Sequence, residues 1–363
     1  MKIHFFVFIV LTFFFAAPTP VRAAEKPLRA NIFLSWQLTD AEAIKLSQWD
    51  LLVLDAEIGA RQPKLIKKIR ARNPRIKILA YVSAVELQKD QKNLSSYAPL
   101  RSALRARTPE SAYLRRPDGS AISFWPTANL INVVGPWQTI LPQFIHDKIL
   151  STGLWDGVML DNVWNGVSWY VGATDIDNNQ IEDAPMIANA VWNSALHTMI
   201  SNIKKQSPRA IVIGNGSEIY SELDGLVFEN FGQKNWYETA TRAQNFSSKK
   251  RIMIFNATSE NLDEPSIEQM RFGLGSALLF DAYFSYDYGD TNHASLWWFD
   301  DYNAKLGVAQ GGATEVRPNV WTRKFKNGTV FVNANFTTST ISTLELAPRS
   351  SRIIVRPKTP AAR

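Results

Sequence analysis

The sequence predicts an α/β fold, a (β/α)8 TIM barrel followed by a small C-terminal antiparallel β-domain. Eight short runs recur after residue 30, and each is continuously apolar, as strands buried on both faces of a parallel sheet are. Most of the runs are separated by enough chain for a crossover helix. Polar or aromatic residues follow most runs, and barrel active sites lie at those strand ends. No glycine-rich phosphate fingerprint of a doubly wound sheet follows the first run.

The predicted strands lie at 30–36, 49–57, 75–84, 155–164, 209–218, 224–231, 251–259 and 276–286. The connection between the fifth and sixth runs is too short for a full helix. The longest connection, 85–154, is an insertion after the third strand, so we expect it to overhang the carboxyl face of the barrel. Turn signals at Asp118-Gly119 and Asn327-Gly328 predict a hairpin in the insertion and another in the β-domain.

Four segments follow from this pattern: a signal peptide at 1–23, the barrel at 24–310, the β-domain at 311–357 and a tail at 358–363. Lys2, an apolar run and a small-residue site ending at Ala23 are typical of a cleaved secretory signal. The run is shorter than the about 20 residues that a spanning helix needs. We therefore expect an exported protein, periplasmic or secreted, without membrane insertion after cleavage. A retained membrane anchor is the alternative.

The composition is that of an ordinary globular protein, with 45% hydrophobic and 20% charged residues in a chain of 363. The absence of cysteine excludes disulfides, a cysteine nucleophile and a thiolate metal site. The net charge is +7, and the basic residues cluster at 61–77 and among the arginines between 101 and 116. Solvated helix faces explain the clusters, and contact with an anionic polysaccharide is the alternative. We expect a monomer, and no nucleic-acid partner because no nucleic-acid motif is present.

Two carboxylates stand at matched positions. Asp161 follows the fourth apolar run and Glu229 the sixth, and each precedes an asparagine. Glycoside hydrolysis uses such a pair, about 5–5.5 Å apart in retaining enzymes and about 6.5–9.5 Å apart in inverting ones. Burial at a strand end can raise the pKa of one carboxyl and keep it protonated. The alternative is that these acids cap helices or pair with arginines.

Other polar and aromatic residues at strand ends predict contacts with the substrate. A tryptophan ring suits a sugar, whose faces are part apolar and part polar. The predicted substrate-binding residues are Trp36, Asp55, Tyr81, Asn162, Trp164, Asn215, Asn230, Asp281, Tyr286 and Asp287. Asp55 and Asp281 are also the alternative catalytic acids. We expect Trp49, Trp137 and Trp192 in the core.

The segment "DIDNNQIED" resembles a calcium-binding loop of the D-x-D-x-N kind. Asp175, Asp177 and Asn179 have the required spacing, and Asp183 can complete the oxygen shell. Gln180 stands where such loops prefer glycine, and the bidentate acid expected further on is absent. A structural calcium site and a capped polar loop both remain open. The predicted chemistry requires no cofactor.

Several stretches carry a family resemblance: "LRRPDGSAISFWPTANLINVVGPW", "DGVMLDNVWNGVSW", "VIGNG", "DGLVFENF" and "DAYFSYDYGDTNHASLWWFDDYNAKLG". With them the chain resembles the hypothetical glycoside hydrolase-like family fifteen of exported bacterial TIM-barrel proteins. The resemblance implies an O-glycosyl hydrolase that cleaves a poly- or oligosaccharide, with no sugar specified. Similarity to dextranase-like and α-galactosidase-like barrels further implies Asp161 as nucleophile and Glu229 as acid/base, and so a retaining route.

Three other functions compete with this reading. A non-catalytic carbohydrate-binding barrel protein of the cell envelope would share the cleft and the tryptophans, but its carboxylates need not converge. A polysaccharide esterase or deacetylase needs a serine triad or a His/Asp metal site, and the four histidines form neither pattern. A structural envelope protein would leave the strand-end carboxylates unexplained.

Overall fold

The computed structural model describes residues 26–89, 93–232, 235–247 and 251–356. The predicted signal peptide and tail lie outside these residues, so cleavage and export stay predictions. Along the described residues the strands are β1 (Ala30–Phe33), β2 (Leu51–Asp55), β3 (Lys77–Ser83), β4 (Glu86–Gln88), β5 (Ala128–Leu130), β6 (Gly157–Val163), β7 (Ile211–Gly216), β8 (Gly225–Phe228), β9 (Ile252–Thr258), β10 (Tyr283–Asp287), β11 (Thr314–Arg317), β12 (Val320–Phe325), β13 (Gly328–Asn333), β14 (Ser339–Ile341), β15 (Leu344–Leu346) and β16 (Ser350–Val355).

The α-helices are α1 (Asp40–Leu46), α2 (Ala56–Arg61), α3 (Pro63–Arg72), α4 (Leu94–Tyr97), α5 (Pro99–Arg107), α6 (Trp137–Phe144), α7 (Ser168–Val171), α8 (Pro185–Gln206), α9 (Trp236–Ser247) and α10 (Ile267–Leu279). Proline opens α3, α5 and α8, where its missing N–H costs nothing. Thr39 and Glu42 form a capping box at the start of α1. In the described part of the chain, no helix combines the length and apolar character needed to cross a membrane.

Eight parallel strands form the central sheet in the order β1-β2-β3-β6-β7-β8-β9-β10. The sheet closes into a barrel because Arg29 forms a parallel bridge with Phe284, whose N–H donates to the Leu28 carbonyl at 2.9 Å. The predicted fold class is therefore confirmed. The segment between β7 and β8 contains no helix, as its length predicted.

Both faces of the barrel strands are buried, which explains their continuously apolar sequences. Alternate side chains fill the barrel interior, and they include Ile32, Leu51, Val53, Leu79, Met159, Ile213, Val227 and Ile254. The opposite faces pack against the helices in a larger core that contains Trp49, Trp137 and Trp192, as predicted. Because side chains alternate along a strand, Asp161 lies on the interior side two residues beyond Met159.

The predicted eighth strand is wrong in its first half. Residues up to Leu279 belong to α10, and β10 begins only at Tyr283. This end of α10 is buried on all sides because the barrel strands β9 and β10 and the C-terminal strands β13 and β16 both contact the helix. An all-apolar helix end has no helical periodicity, so its sequence is typical of a buried strand. Asp281 consequently precedes β10 and lies at the opposite end of the barrel from the strand carboxyl ends.

The insertion is fixed over the barrel mouth by a buried ion pair. Arg101 of α5 donates to both carboxylate oxygens of Asp55, at 2.7 and 2.9 Å, and Asp55 is 1% exposed. Asp55 also accepts the N–H of Glu57 at the start of α2. The Trp36 ring stacks with Tyr97 and lies under the Arg101 guanidinium. Asp55 and Trp36 therefore hold the insertion in place. The predicted role of Asp55 as a substrate contact or alternative catalytic acid is wrong, because its carboxylate is buried, paired with Arg101 and capping α2.

The C-terminal segment forms an antiparallel sheet, β11-β12-β13-β16, and a two-stranded sheet, β14-β15. The predicted β12–β13 hairpin is present, and its turn is Lys326-Asn327, one residue before the predicted position. Arg323 of β12 is buried and donates to the Leu278 carbonyl at 2.8 Å and to Asp281 at 2.7 Å. This side chain thus joins the small sheet to the end of α10.

Replacing Arg323 with methionine should destabilise the protein by about 2–4 kcal/mol, because the buried carbonyls that it satisfies lose their donor. The exposed Arg352 of β16 is the matched control, and its methionine variant should change stability by less than about 0.5 kcal/mol. Urea unfolding of the two variants measures the difference. Equal stabilities would show that Arg323 does not fasten the sheet.

Candidate active site

A β-bulge directs Asp161 into the barrel mouth. The pairing of β6 with β7 shifts between Leu160 and Val163, and Asn162 adopts a left-handed conformation with φ of 61°. Bulges re-aim side chains near active sites, and asparagine tolerates this conformation better than most residues. Asn230, directly after Glu229, has φ of 50°. The asparagine that follows each acid therefore allows the backbone to turn sharply at that point.

Three donors orient the Asp161 carboxylate. The Tyr81 hydroxyl donates to Oδ2 at 2.6 Å, while the Asn215 amide and the Asn162 backbone N–H donate to Oδ1 at 2.9 and 2.8 Å. Burial and the Asp161 charge raise the pKa of Tyr81 well above its usual value, so its hydroxyl remains a donor. Gly216 follows Asn215 with φ of 141° and lies so close to the Val163 carbonyl that a Cβ would collide with it.

Glu229 lies at the end of β8 and faces the open mouth of the barrel. The surrounding barrel wall removes much of its hydration although the side chain is accessible, and this desolvation raises its pKa to about 7. The Asp161 charge adds to the rise, whereas the Asn215 amide and His293 oppose it. Asn215, which donates to Asp161, therefore also lies close enough to Glu229 to influence its pKa. Near neutral pH, Glu229 therefore gains and loses a proton readily. The negative charge of Asp161 is close enough to affect this equilibrium.

His293 and Asp287 form a second pair at the mouth. Asp287 at the end of β10 is buried, and its Oδ2 contacts His293 Nδ1 at 2.5 Å. Burial alone would lower the pKa of His293, but the hydrogen bond to Asp287 and the charges of Asp287, Glu229 and Asp161 raise it. Sequence reasoning predicted Asp287 and missed His293, because a single histidine in a loop carries no spacing signal.

Glu86 is another acid at the mouth that sequence reasoning missed. It belongs to β4 in the insertion, and its Oε2 accepts from the Asn162 amide at 2.9 Å. Burial, and then the Asp161 charge, raise the pKa of Glu86 to about 7, while hydrogen bonds from the Trp125 backbone and Asn162 oppose the rise. Its position depends on the pairing of β4 with β5, about forty residues further along the chain, which no local pattern reveals.

A cavity of about 440 Å³ opens beside Glu229. Its lining is mainly polar and includes the acids Glu238, Glu260 and Asp290. Arg242 also lines it but forms an ion pair with Glu218 at 2.6 Å. The cavity is therefore acidic, which disfavours an anionic group inside it.

Residues 70–329, more than half of the chain, match the family described as hypothetical glycosyl hydrolase family 15. The chain belongs to this family. The glycoside hydrolase domain of PelA from Pseudomonas aeruginosa is similar in structure, with 14% identity and a TM-score of 0.48, over 72% of this chain and 95% of that domain. No curated protein matches the sequence.

Two further structures share the barrel fold of this family 15 member. Amy13B of Eubacterium rectale is 11% identical with a TM-score of 0.51, and the match covers 93% of this chain and 97% of that one. The cycloalternan-degrading enzyme of Trueperella pyogenes is 12% identical with a TM-score of 0.50, over 76% of this chain and 44% of that one. Family and fold together support a glycoside hydrolase.

The structure of the family 15 barrel brings most of the predicted site residues together. Asp161 and Glu229 lie at the mouth with Tyr81, Asn162, Asn215, Asn230 and Asp287. Trp164 lies beside the mouth, in contact with the rings of Phe124 and Trp169.

Besides Asp55, two predicted contacts with the substrate are wrong. Tyr286 points outward from the barrel because it alternates with the inward Asp287, and its hydroxyl accepts the Ser266 N–H at 3.1 Å. Asp281 lies before β10 and pairs with Arg323. Neither side chain reaches the mouth.

The "DIDNNQIED" loop places three carboxylates together. Asp175, Asp177 and Asp183 can each present an oxygen within 4.8 Å of the others, which suits the oxygen ligands that calcium prefers. Gln180 has φ of 67° and thus adopts the conformation for which calcium loops use glycine. The side-chain Oδ1 of Asn179 accepts the Ile181 N–H, so this predicted ligand oxygen is bound to the loop itself. A structural calcium ion at these residues stays a prediction.

The raised pKa of Glu229 predicts a pH-dependent cost to stability. The carboxyl has a pKa of about 7 when folded, against an ordinary value of 4.5, so ionisation above this window opposes folding. Glu229→Gln should therefore raise the melting temperature at about pH 8 and leave it unchanged at about pH 4, where both states are protonated. The exposed Glu345→Gln is the control and should show no such difference. A gain that is equal at both pH values would contradict the raised pKa.

Calcium should raise the melting temperature of the parent protein if the loop binds it, because a ligand specific for the folded state stabilises that state by mass action. Asp177→Ala should abolish the response, whereas Asp263→Ala, an exposed acid elsewhere, should retain it. Differential scanning calorimetry with calcium and with a chelator gives the comparison. No calcium effect on the parent would identify the loop as a capped polar turn.

Proposed function

We propose that the protein is a retaining glycoside hydrolase that cleaves a poly- or oligosaccharide, with Asp161 as nucleophile and Glu229 as acid/base. The observation that carries this proposal is the proximity of both carboxyl groups to one amide, Asn215, which donates to Asp161 at 2.9 Å and lowers the pKa of Glu229. The two acids belong to neighbouring but not adjacent strands, β6 and β8, and converge on β7 between them. A protein that only binds sugar has no need of this convergence.

The shared amide also supports the retaining route. Asn215 donates to Asp161 at 2.9 Å, and the same amide lowers the pKa of Glu229, so both carboxyl groups lie beside one side chain. Retaining enzymes hold their carboxyl groups about 5–5.5 Å apart, whereas inverting ones separate them by about 6.5–9.5 Å to admit a water molecule. Two acids beside one amide suit the shorter spacing better.

In the proposed reaction, Glu229 donates its proton to the glycosidic oxygen while an Asp161 oxygen attacks the anomeric carbon. The leaving sugar departs as an alcohol, and a covalent glycosyl ester remains on Asp161. Glu229, now ionised, then takes a proton from water, whose oxygen attacks the anomeric carbon and releases Asp161. A pKa of about 7 suits a group that must both give and take a proton near neutral pH.

The neighbours of the pair have supporting roles in this proposal. Tyr81 and Asn162 fix the direction of the Asp161 carboxylate, which holds its oxygen in the geometry needed for attack. His293 is close enough to Glu229 for its charge to oppose the rise of the Glu229 pKa. The acidic cavity beside Glu229 favours an uncharged or cationic sugar over the anionic polysaccharide that the basic helices suggested. Export and a monomeric state stay predictions.

The test measures hydrolysis of a polysaccharide panel and of dinitrophenyl glycosides. Asp161→Asn should lower turnover at least about 100-fold with the fold intact. Glu229→Gln should be severe on polysaccharides and milder on dinitrophenyl glycosides, whose leaving group needs no proton. It should also remove the fall in parent activity above about pH 7. Asp281→Asn, an acid at the other end of the barrel, is the matched control and should retain activity.

Trapping distinguishes the mechanisms. A fluorosugar substrate should leave a covalent label on Asp161, which mass spectrometry of the digested protein locates. Hydrolysis that persists in Asp161→Asn would refute the assignment. Polysaccharide binding by the parent without hydrolysis of any substrate would support the carbohydrate-binding alternative instead.

A further inference from the structure

A cluster of five aromatic side chains borders the barrel mouth, and we call it the aromatic platform: Phe124, Trp125, Trp164, Trp169 and Tyr170. Phe124 is its hub, with ring centroids at 5.2 Å from Trp164, 4.6 Å from Tyr170 and 5.5 Å from Trp125. Trp164 and Trp169 lie 5.3 Å apart. The platform joins the insertion to the loop after β6, and the Tyr170 hydroxyl fastens the two by donating to the Ser123 carbonyl at 2.9 Å.

Two indole rings of the platform are open to solvent. Trp125 is 50% exposed and Trp169 is 62% exposed, whereas the other ten tryptophans are buried or half-buried. The contacts that hold these two rings are edge-to-face, with interplanar angles of 88° for Phe124–Trp125 and 83° for Trp164–Trp169. An edge-to-face contact fixes a ring without stacking a second ring over its face. The platform is thus rigid enough to bind and open enough to be reached.

The platform carries no charge. Residues 119–130 and 162–174 contain no Asp, Glu, Lys or Arg, although the chain as a whole is 20% charged. The charged groups that other segments bring to Trp125 are bound to backbone groups: Lys89 donates to the Pro126 carbonyl at 2.8 Å, and Glu86 accepts from the Trp125 backbone. Such a surface suits a ligand with an apolar ring face and neutral polar edges, which describes an uncharged pyranose.

The platform is continuous with the candidate active site. Trp164 stands two residues after Asn162, whose backbone N–H donates to Asp161. The Trp125 backbone also hydrogen-bonds Glu86, which in turn accepts from the Asn162 amide. A saccharide chain that reaches Asp161 therefore has the platform beside it, within the same cleft wall.

We propose that Trp125 and Trp169 form a sugar-binding subsite outside the cleavage site, which stacks uncharged pyranose units of a polysaccharide chain. The subsite rests on the proposed function in so far as the chain bound there is the one cleaved at Asp161. It implies a preference for polymers over short oligosaccharides, because only a long chain spans both the carboxylates and the platform.

The test separates binding from cleavage by using Asp161→Asn as the parent for all variants. Affinity electrophoresis in native gels that contain dextran, pullulan, galactomannan or xyloglucan measures binding, with polygalacturonate as the charged comparison. At least one neutral polymer should retard the parent. Trp125→Ala and Trp169→Ala should each weaken that affinity about tenfold. Trp169→Tyr retains an aromatic ring and should preserve most of it, which guards against misfolding as the cause.

Phe336→Ala is the control, since Phe336 is 76% exposed but lies in the C-terminal β-domain. The affinity of this variant for the polymer should equal that of the parent. Retardation by none of the neutral polymers would overturn the subsite, as would unchanged affinity in both tryptophan variants or an equal loss in Phe336→Ala. The outcome for the proposed function is separate. If hydrolysis depends on Asp161 but is unchanged in the tryptophan variants, only the subsite is refuted. If binding depends on the tryptophans but the wild-type protein hydrolyses no substrate, only the catalytic assignment is refuted.

Discussion

One carboxylate, Asp161, lies in a partly desolvated barrel mouth, and its charge affects the pKa of the titratable groups around it. Three donors compensate for its lost hydration, and the pairing of β6 with β7 shifts at the same point of the strand. Its charge contributes to the raised pKa of Glu229 on one side and of Glu86 on the other. An apolar side chain at this position would leave all three donors without their acceptor, and the loss of the charge would bring the pKa of both glutamates closer to its ordinary value.

The barrel and the insertion each hold one side of the site around the Asp161 carboxylate. The barrel strands are rigid because both of their faces are buried, so Asp161, Asn215 and Glu229 keep fixed relative positions. The insertion closes the other side of the mouth, and the buried pair of Arg101 and Asp55 fastens it. Removing one partner of such a pair leaves an uncompensated buried charge, which is costly. Closure of the site therefore depends on a residue that never contacts the reacting atoms.

The sequence predicted the barrel because double-sided burial leaves a clear trace in the strands, and strand ends then located Asp161 and Glu229. It misled at α10, where burial on all sides erased the helical period and moved Asp281 to the wrong end of the barrel. It could not reveal Glu86 or His293, because their positions depend on tertiary pairing of the insertion and on a loop after β10. Local patterns carry information about burial, while contacts between distant segments carry the rest.

Two glutamates near Asp161 have a pKa of about 7, and their surroundings differ. Glu86 turns one oxygen to the Asn162 amide, and its other oxygen is buried without a side-chain partner, so it has no open path to a glycosidic oxygen. Glu229 faces the 440 Å³ cavity and shares Asn215 with Asp161. An acid/base must reach both a leaving group and a water molecule, and only the residue that borders open space satisfies this requirement. Glu86 is better placed to hold Asn162, and through it the backbone beside Asp161, the proposed nucleophile.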